Sequence, residues 1–352
     1  MKFQKLIFNN TGKLLFLFFF VILYRDFLYT YRMQLEDFLP YYNYQNQIIF
    51  YLTGNKEYDI EAPMNLRLVG LFFQFLIFKI FPCIELTNVS IGENLHQDYV
   101  CATYSNALMN YFALCGILSL IFKYCNEKLN QNLSSSILTT FLTYIYLQHV
   151  ESFTLDRFSI FYFILILYYI ENKYFSIFLI ILCSLVNEKI IYILFILFFI
   201  RFFFEKLKDY KNLLLVTLLS GFLTIFIFLF YSKFLGHGYY ESNLDYGLYN
   251  KFFSHGFMRI LGIFTSYSGI SNGLLPIFFS ILPFLISIKI KNIYPFHFSR
   301  LEVFIPLSML FFTMGGGVEQ TGRYVIYTFP LWLPIFSQQI IYLFNFFKKN
   351  VQ

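Results

Sequence analysis

Charge is scarce in this chain. Asp, Glu, Lys and Arg make up 13% of its 352 residues, about half of what a soluble domain carries, and that shortage excludes an ordinary water-facing surface over most of the molecule. Trp occurs once, and Ala and Gly are thin beside 51 Phe and 30 Tyr. This bias, shared with Ile, Lys and Asn, fits an AT-rich genome, so aromatic abundance is not evidence of aromatic recognition. The five cysteines, Cys83, Cys101, Cys115, Cys125 and Cys183, form no CxxC pair and lie in or beside apolar runs. They read as buried thiols rather than a metal site or a disulfide framework. No HExxH-type spacing occurs among His96, His149, His237, His255 and His297, so no metal site is expected from histidine. No small-residue cleavage site follows the N-terminal MKFQKLIFNNTGK, which reads as an uncleaved anchor. Internal repeats, a soluble domain and low-complexity linkers are also lacking.

What is present is oil: 58% hydrophobic residues and a mean hydropathy of +0.60. Apolar runs near the length of a membrane span recur along the chain, which predicts an all-α polytopic integral membrane protein, a single transmembrane domain over residues 1–352. The net charge of +6 sits at the ends of those runs, as membrane orientation requires, and does not suggest nucleic acid. Placing Lys2, Lys5 and Lys13 in the cytoplasm leads through about ten crossings, up to about twelve, to a cytoplasmic Lys348-Lys349. Both termini are then inside, as in a multi-pass protein of the bacterial inner membrane. The runs Leu66 to Pro82 and Tyr99 to Phe122 are the exception. Two crossings there would leave Lys123 outside, so either one run is re-entrant or the region crosses three times. The run Phe257 to Ile270, with Arg259, is weak enough to lie along the surface.

This orientation, made from Lys and Arg alone, collects the polar motifs on the external face. The first external loop, 25–65, holds six acids against three bases, a net charge of −3 in a basic chain. Its Tyr41, Tyr42, Tyr44 and Phe50 suit interfacial helices, and long loops of this kind are commonly functional. A second external loop spans 232–256. Glu36-Asp37, Asp156-Arg157, Asn187-Glu188-Lys189, His237 with Asp245, and Glu319 to Arg323 all fall on this side. Ionisable groups at the membrane rim are costly and tend to be functional, so their convergence predicts an external catalytic or transport cavity.

Each motif carries two readings. Asp37, ahead of Glu36, is the candidate general base, or could help hold a divalent cation; the bland alternative is a solvated helix-end acid. Arg67, in an apolar run, could clamp phosphate with its fork of donors or snorkel to lipid headgroups. Glu188 and Lys189 interrupt the apolar run Tyr174 to Phe204, which must therefore form a hairpin. Lys189 would meet an anionic group and Glu188 would orient it, unless the turn is merely interfacial. The Gly-rich Gly315 to Arg323 segment allows close backbone approach, with Arg323 as the leading phosphate binder, though it matches neither a P-loop nor a dinucleotide fingerprint. Asp156 and His237 complete the candidate substrate-binding set. Sequons at Asn9, Asn88 and Asn132 are expected by chance.

The order of these motifs resembles the GT-C superfamily of polytopic membrane glycosyltransferases. The resemblance rests on the first span followed by Glu36-Asp37 and Tyr41-Tyr42, on Pro63 to Arg67, on Asn187-Glu188-Lys189, and on Gly322-Arg323-Tyr324 with Pro330. It implies transfer of a sugar from a polyprenyl-phosphate-linked donor at the external face, in cell-envelope glycan or glycolipid synthesis, to a glycan, lipid or protein acceptor. It places the catalytic acid at Asp37 or Glu36 and the lipid phosphate at Arg323, helped by Lys189 or Arg67. Polytopic O-antigen and exopolysaccharide polymerases look similar and use the same substrate class. From a different class, a transporter for a glycolipid or small anion is the alternative, although such proteins often show repeats and mid-depth polar groups.

Overall fold

The computed structural model describes residues 13–36, 67–81, 83, 97–147, 156–234, 256–289, 300–310 and 321–351. Among these residues the chain is helical, with no strand. Helix α1 (Lys13–Ile22) meets α2 (Tyr24–Glu36) at a bend of 51°, so Arg25 and Asp26, placed by the sequence in the external connection, continue a helix. There follow α3 (Leu68–Ile80), α4 (Gln97–Lys123), α5 (Leu133–Leu147), α6 (Asp156–Tyr168), α7 (Lys173–Cys183), α8 (Glu188–Phe199) and α9 (Tyr210–Phe234). The last part holds α10 (Gly256–Thr265), α11 (Leu275–Lys289), the short α12 (Phe304–Ser308), α13 (Thr321–Ile326) and α14 (Phe329–Val351). Two described segments are long and apolar enough to cross a membrane, Val100–Lys128 and Tyr210–Ile227, and a third if α1 and α2 form one bent span.

Helix α4 is the axis of the molecule, packed by α2, α3, α5 and α6. Small residues make this possible: Ala102, Ala107 and Ala113 are buried on it, and at Gly116 a Cβ would lie 2.7 Å from the Phe161 ring of α6. Close approach of helices through small residues is the usual solution where lipid gives no hydrophobic drive between them. Several polar residues of α4 and α5 are buried too, and three of them bond to the preceding turn of their own helix. Ser119 donates to the Cys115 carbonyl at 2.8 Å, and Thr139 and Thr140 donate to the carbonyls of Ser135 and Ser136, each at 2.8 Å. The opposite character appears on α9, where Leu219, Phe222, Ile225 and Phe226 are more than half exposed. A continuous apolar surface of this kind suits lipid and would be a liability in water.

The bundle has a basic end. There Lys123 lies over the Tyr168 ring at 5.6 Å and Lys128 pairs with Glu171. Arg201 contacts Glu302 Oε1 through Nε at 3.1 Å and NH2 at 3.0 Å, and its NH1 donates to Tyr210 at 2.7 Å. Both α4 and α8 finish there in a π turn, Tyr124–Lys128 and Ile200–Phe204. A left-handed residue stops each, Asn130 (φ 49) and Lys206 (φ 58). Since Lys123 meets Tyr168 and Gly116 meets Phe161, α4 and α6 run parallel, and the N-terminus of α6 lies at the other end of the bundle.

Helix α3 explains the doubtful region before Lys123. Its 13 residues cover about 20 Å, short of the roughly 30 Å of a hydrocarbon core. It begins at Arg67, beside Asp156 and Glu188, and just beyond its end Cys83 is joined to Cys101 near the start of α4. It therefore never approaches the basic end, and is the run of the two that does not traverse the bundle. The Cys83–Cys101 disulfide corrects the expectation of five buried thiols; only Cys115, Cys125 and Cys183 are free and buried. The fold-back of α3 on α4 brings the two Cα atoms to 5.1 Å, which a sequence separation of 18 does not reveal.

Candidate functional site

The hairpin between α7 and α8 builds the centre of the site. Helix α7 closes in three hydrogen-bonded turn residues, 184–186, and Asn187 takes extended backbone (φ −169, ψ 127) before α8 begins. Its side-chain oxygen accepts from the Lys189 N–H at 3.0 Å, a helix N-cap. Its amide nitrogen is then committed elsewhere, donating to Ser159 Oγ and to the Tyr327 hydroxyl, each at 3.1 Å. Tyr327, fully buried, donates its own O–H to Asp156 Oδ1. One asparagine thus caps α8 and ties it to α6 and to the turn after α13.

Arg67 completes the cluster from the far side. Its NH2 lies 3.0 Å from Glu188 Oε1 and its NH1 3.7 Å from Asp156 Oδ1. The Arg67 and Asp156 side chains are only 8% and 1% exposed, whereas that of Glu188 is 33% exposed, so Glu188 is the point where the cluster opens. The Val69 N–H donates to the Leu185 carbonyl at 3.1 Å, stitching the start of α3 to the hairpin. The Lys189 ammonium stands over the rings of Tyr324 (4.8 Å) and Tyr327 (5.2 Å), a cation–π seat that substitutes for water around a buried charge.

The arrangement follows from elementary electrostatics. Asp156 and Glu188 occupy the first turns of α6 and α8, where unsatisfied N–H groups and the helix dipole favour negative charge. Those carboxylates attract Arg67 and Lys189. The result is a balanced set of two anions and two cations, desolvated on the bundle side, from segments far apart in sequence. Such a set is worth little to stability in itself, but removing one partner leaves an uncompensated buried charge.

Four residues expected from sequence to bind substrate, Arg67, Asp156, Glu188 and Lys189, are therefore neighbours. Arg67, considered for phosphate or for lipid headgroups, pairs here with the carboxylates of Glu188 and Asp156. Glu36 closes α2 and Arg323 lies in α13, one residue before Tyr324; the description extends to their backbone and not to their side chains. Asp37 and His237 lie outside the described residues. No group of His, Cys, Asp or Glu among the described residues could hold a metal ion. Sequence reasoning missed Tyr327 and Ser159. The only signal was that Tyr327 follows Tyr324 at helical spacing, too common in a chain with 30 Tyr to stand out.

Glu188 also heads an apolar groove of about 440 Å³ between α8 and α9, lined below it by Ile191, Phe195, Leu218, Phe222 and Ile225. It runs from the charged cluster towards the basic end, along the exposed apolar surface of α9. No protein-family model, curated protein or solved structure matches the chain.

Proposed function

We propose that the protein is a multi-pass glycosyltransferase of the bacterial inner membrane. It transfers a sugar from a polyprenyl-phosphate-linked donor to an acceptor at the external face, with about ten crossings and both termini in the cytoplasm. The observation that carries this reading is the pairing of a charged, partly open cluster with a hydrocarbon groove that starts at Glu188. A polar head with an apolar tail is the shape of such a donor. Its chain lies between α8 and α9 and its phosphate at the mouth of the groove beside the charged cluster, with Lys189 and Arg323 as the cations assigned to it. The disulfide at the same end of the bundle supports an oxidising, external side.

In the reaction an acceptor hydroxyl attacks the anomeric carbon. The new carbon–oxygen bond forms as the bond to the phosphate oxygen breaks, and the polyprenyl phosphate leaves with that electron pair. Asp37, or Glu36 beside it, takes the hydroxyl proton. Fixed cations in a dry site stabilise the charge that grows on the departing phosphate. Asp156 and Tyr327 hold Arg67 and the hairpin in place.

The test uses purified protein in lipid nanodiscs with polyprenyl-phosphate and polyprenyl-pyrophosphate sugars. Free lipid phosphate is followed for the wild type, Asp37→Asn and Arg323→Ala. Release that requires both side chains supports the assignment, and a preference for pyrophosphate donors would shift it to a polymerase. No release with any donor from folded protein, together with uptake of a glycolipid without a covalent product, would replace it with a transporter.

A further inference from the structure

A second groove, larger and separate from the first, lies between α1, α2, α4 and α5. It encloses about 780 Å³, with Phe18, Ile22, Leu118, Ile137 and Phe141 among its apolar walls. Phe18, Ile22, Ile137 and Phe141 are each more than half exposed, so the groove opens sideways along the face that lipid would cover. It has a polarity. Leu118, Phe122 and Leu133 line it towards the basic end, while Arg25, Asp26, Tyr29 and Tyr144 line it towards the site.

Behind that polar end sits Arg157. It is 4% exposed, and its Nε finds no hydrogen-bond partner among the described residues. Its electrostatic neighbours are Asp26 and Tyr144, both lining the groove. Among the described residues, Arg25 and Arg157 against Asp26 leave one excess positive charge at the head of an apolar channel, and a buried arginine with an unused donor is poised for an anion. Asp156, the preceding residue, faces the other way, to Arg67 and Tyr327. The charged cluster at the head of the first groove and the arginine behind the polar end of the second thus stand on consecutive residues at the start of α6.

We infer that this groove binds a hydroxylated anionic lipid, and that the acceptor of the reaction is lipid-borne. The inference rests on the glycosyltransferase reading above. The anionic headgroup would be held by Arg157 and Arg25, and its free hydroxyl presented across α6 to the donor sugar. A single charge-assisted hydrogen bond of this kind corresponds to about tenfold in affinity.

Photo-crosslinking of the full-length protein in nanodiscs tests it through binding rather than turnover. The probes are a phosphatidylglycerol and a phosphatidylcholine with the same diazirine-bearing acyl chain, and a diazirine-bearing polyprenyl phosphate. Phosphatidylglycerol is expected to label the segments around 15–29 and 133–144 about tenfold more than phosphatidylcholine. Ile137→Trp, which fills the groove from its exposed side, should abolish that labelling and leave polyprenyl-phosphate labelling of Leu218 to Ile225 intact. Arg157→Gln should remove the preference for the anionic probe while apolar labelling persists. Equal labelling by both phospholipids, or labelling indifferent to Ile137→Trp, would overturn the second site. Loss of polyprenyl-phosphate labelling alone would instead count against the donor groove, and leave the second site supported.

Discussion

Arg67 and Glu188 are separated by 121 positions in the chain and by 3.0 Å in space. The pair fastens the start of α3 to the hairpin that begins α8, and it sits where the charged cluster opens to the α8–α9 groove. Its strength is an all-or-none matter. Together with Asp156 and Lys189 the charges balance, and Arg67 or Asp156 alone would be a charge without water.

A double-mutant cycle measures this coupling. Arg67→Gln leaves Asp156 and Glu188 facing each other and is expected to cost about 3–5 kcal/mol. Adding Glu188→Gln should recover part of that loss, a coupling of about 1 kcal/mol or more, read from thermal unfolding in detergent. Strictly additive losses would show that the two side chains do not act on each other.

Tyr327→Phe keeps the ring beneath Lys189 and deletes only the hydroxyl that bridges Asn187 to Asp156. The expected cost is about 1–3 kcal/mol of stability, because two buried polar groups lose a partner. Turnover should fall further than stability does, since the hydroxyl orients the carboxylate facing Arg67. Full activity with unchanged unfolding would remove Tyr327 from the site.

At Gly116 the expectation is steric. A methyl group there would overlap Phe161, 2.7 Å away at its nearest ring atom, so Gly116→Ala should lose about 1–3 kcal/mol. Phe161→Leu in the same chain should restore most of it. No rescue would mean that α4 and α6 are not in this register.

The Cys83–Cys101 bond makes a prediction about sidedness. In intact cells, a membrane-impermeant maleimide should modify these two cysteines only after reduction, and from outside. Loss of the bond closes no loop across the 18-residue separation, a change of about 3 kcal/mol in the loop-entropy account. Labelling without any reductant would contradict the disulfide, and labelling only after cell lysis would contradict the external assignment.

The helical class and several cluster residues were legible from the chain because long apolar runs make each polar interruption stand out. Asn187-Glu188-Lys189 stands out between apolar runs, since three polar residues cannot stay in hydrocarbon. Asp156 stands out as an acid at the head of one. The disulfide was not legible, because whether two thiols bond depends on their meeting, and Cys83 meets Cys101 only when α3 turns back. The course of α3 itself could not be read either: its composition, LVGLFFQFLIFKI, suits a span, and only its length and its anchors at Arg67 and Cys83 show that it does not traverse the bundle.

The sequence by itself determined where charge can exist. With so few ionisable residues, those at the ends of apolar runs settle the helical class and narrow the site to a few polar interruptions. Tertiary structure alone decided what those charges do. Arg67 neutralises carboxylates rather than reaching for lipid, Asn187 divides its amide between a helix cap and Tyr327, and Asp156 and Arg157 turn to different neighbours. Periodicity assigns a residue to a helix face. The partner on that face comes from elsewhere in the chain, and is set by how short, small-residue helices pack around α4.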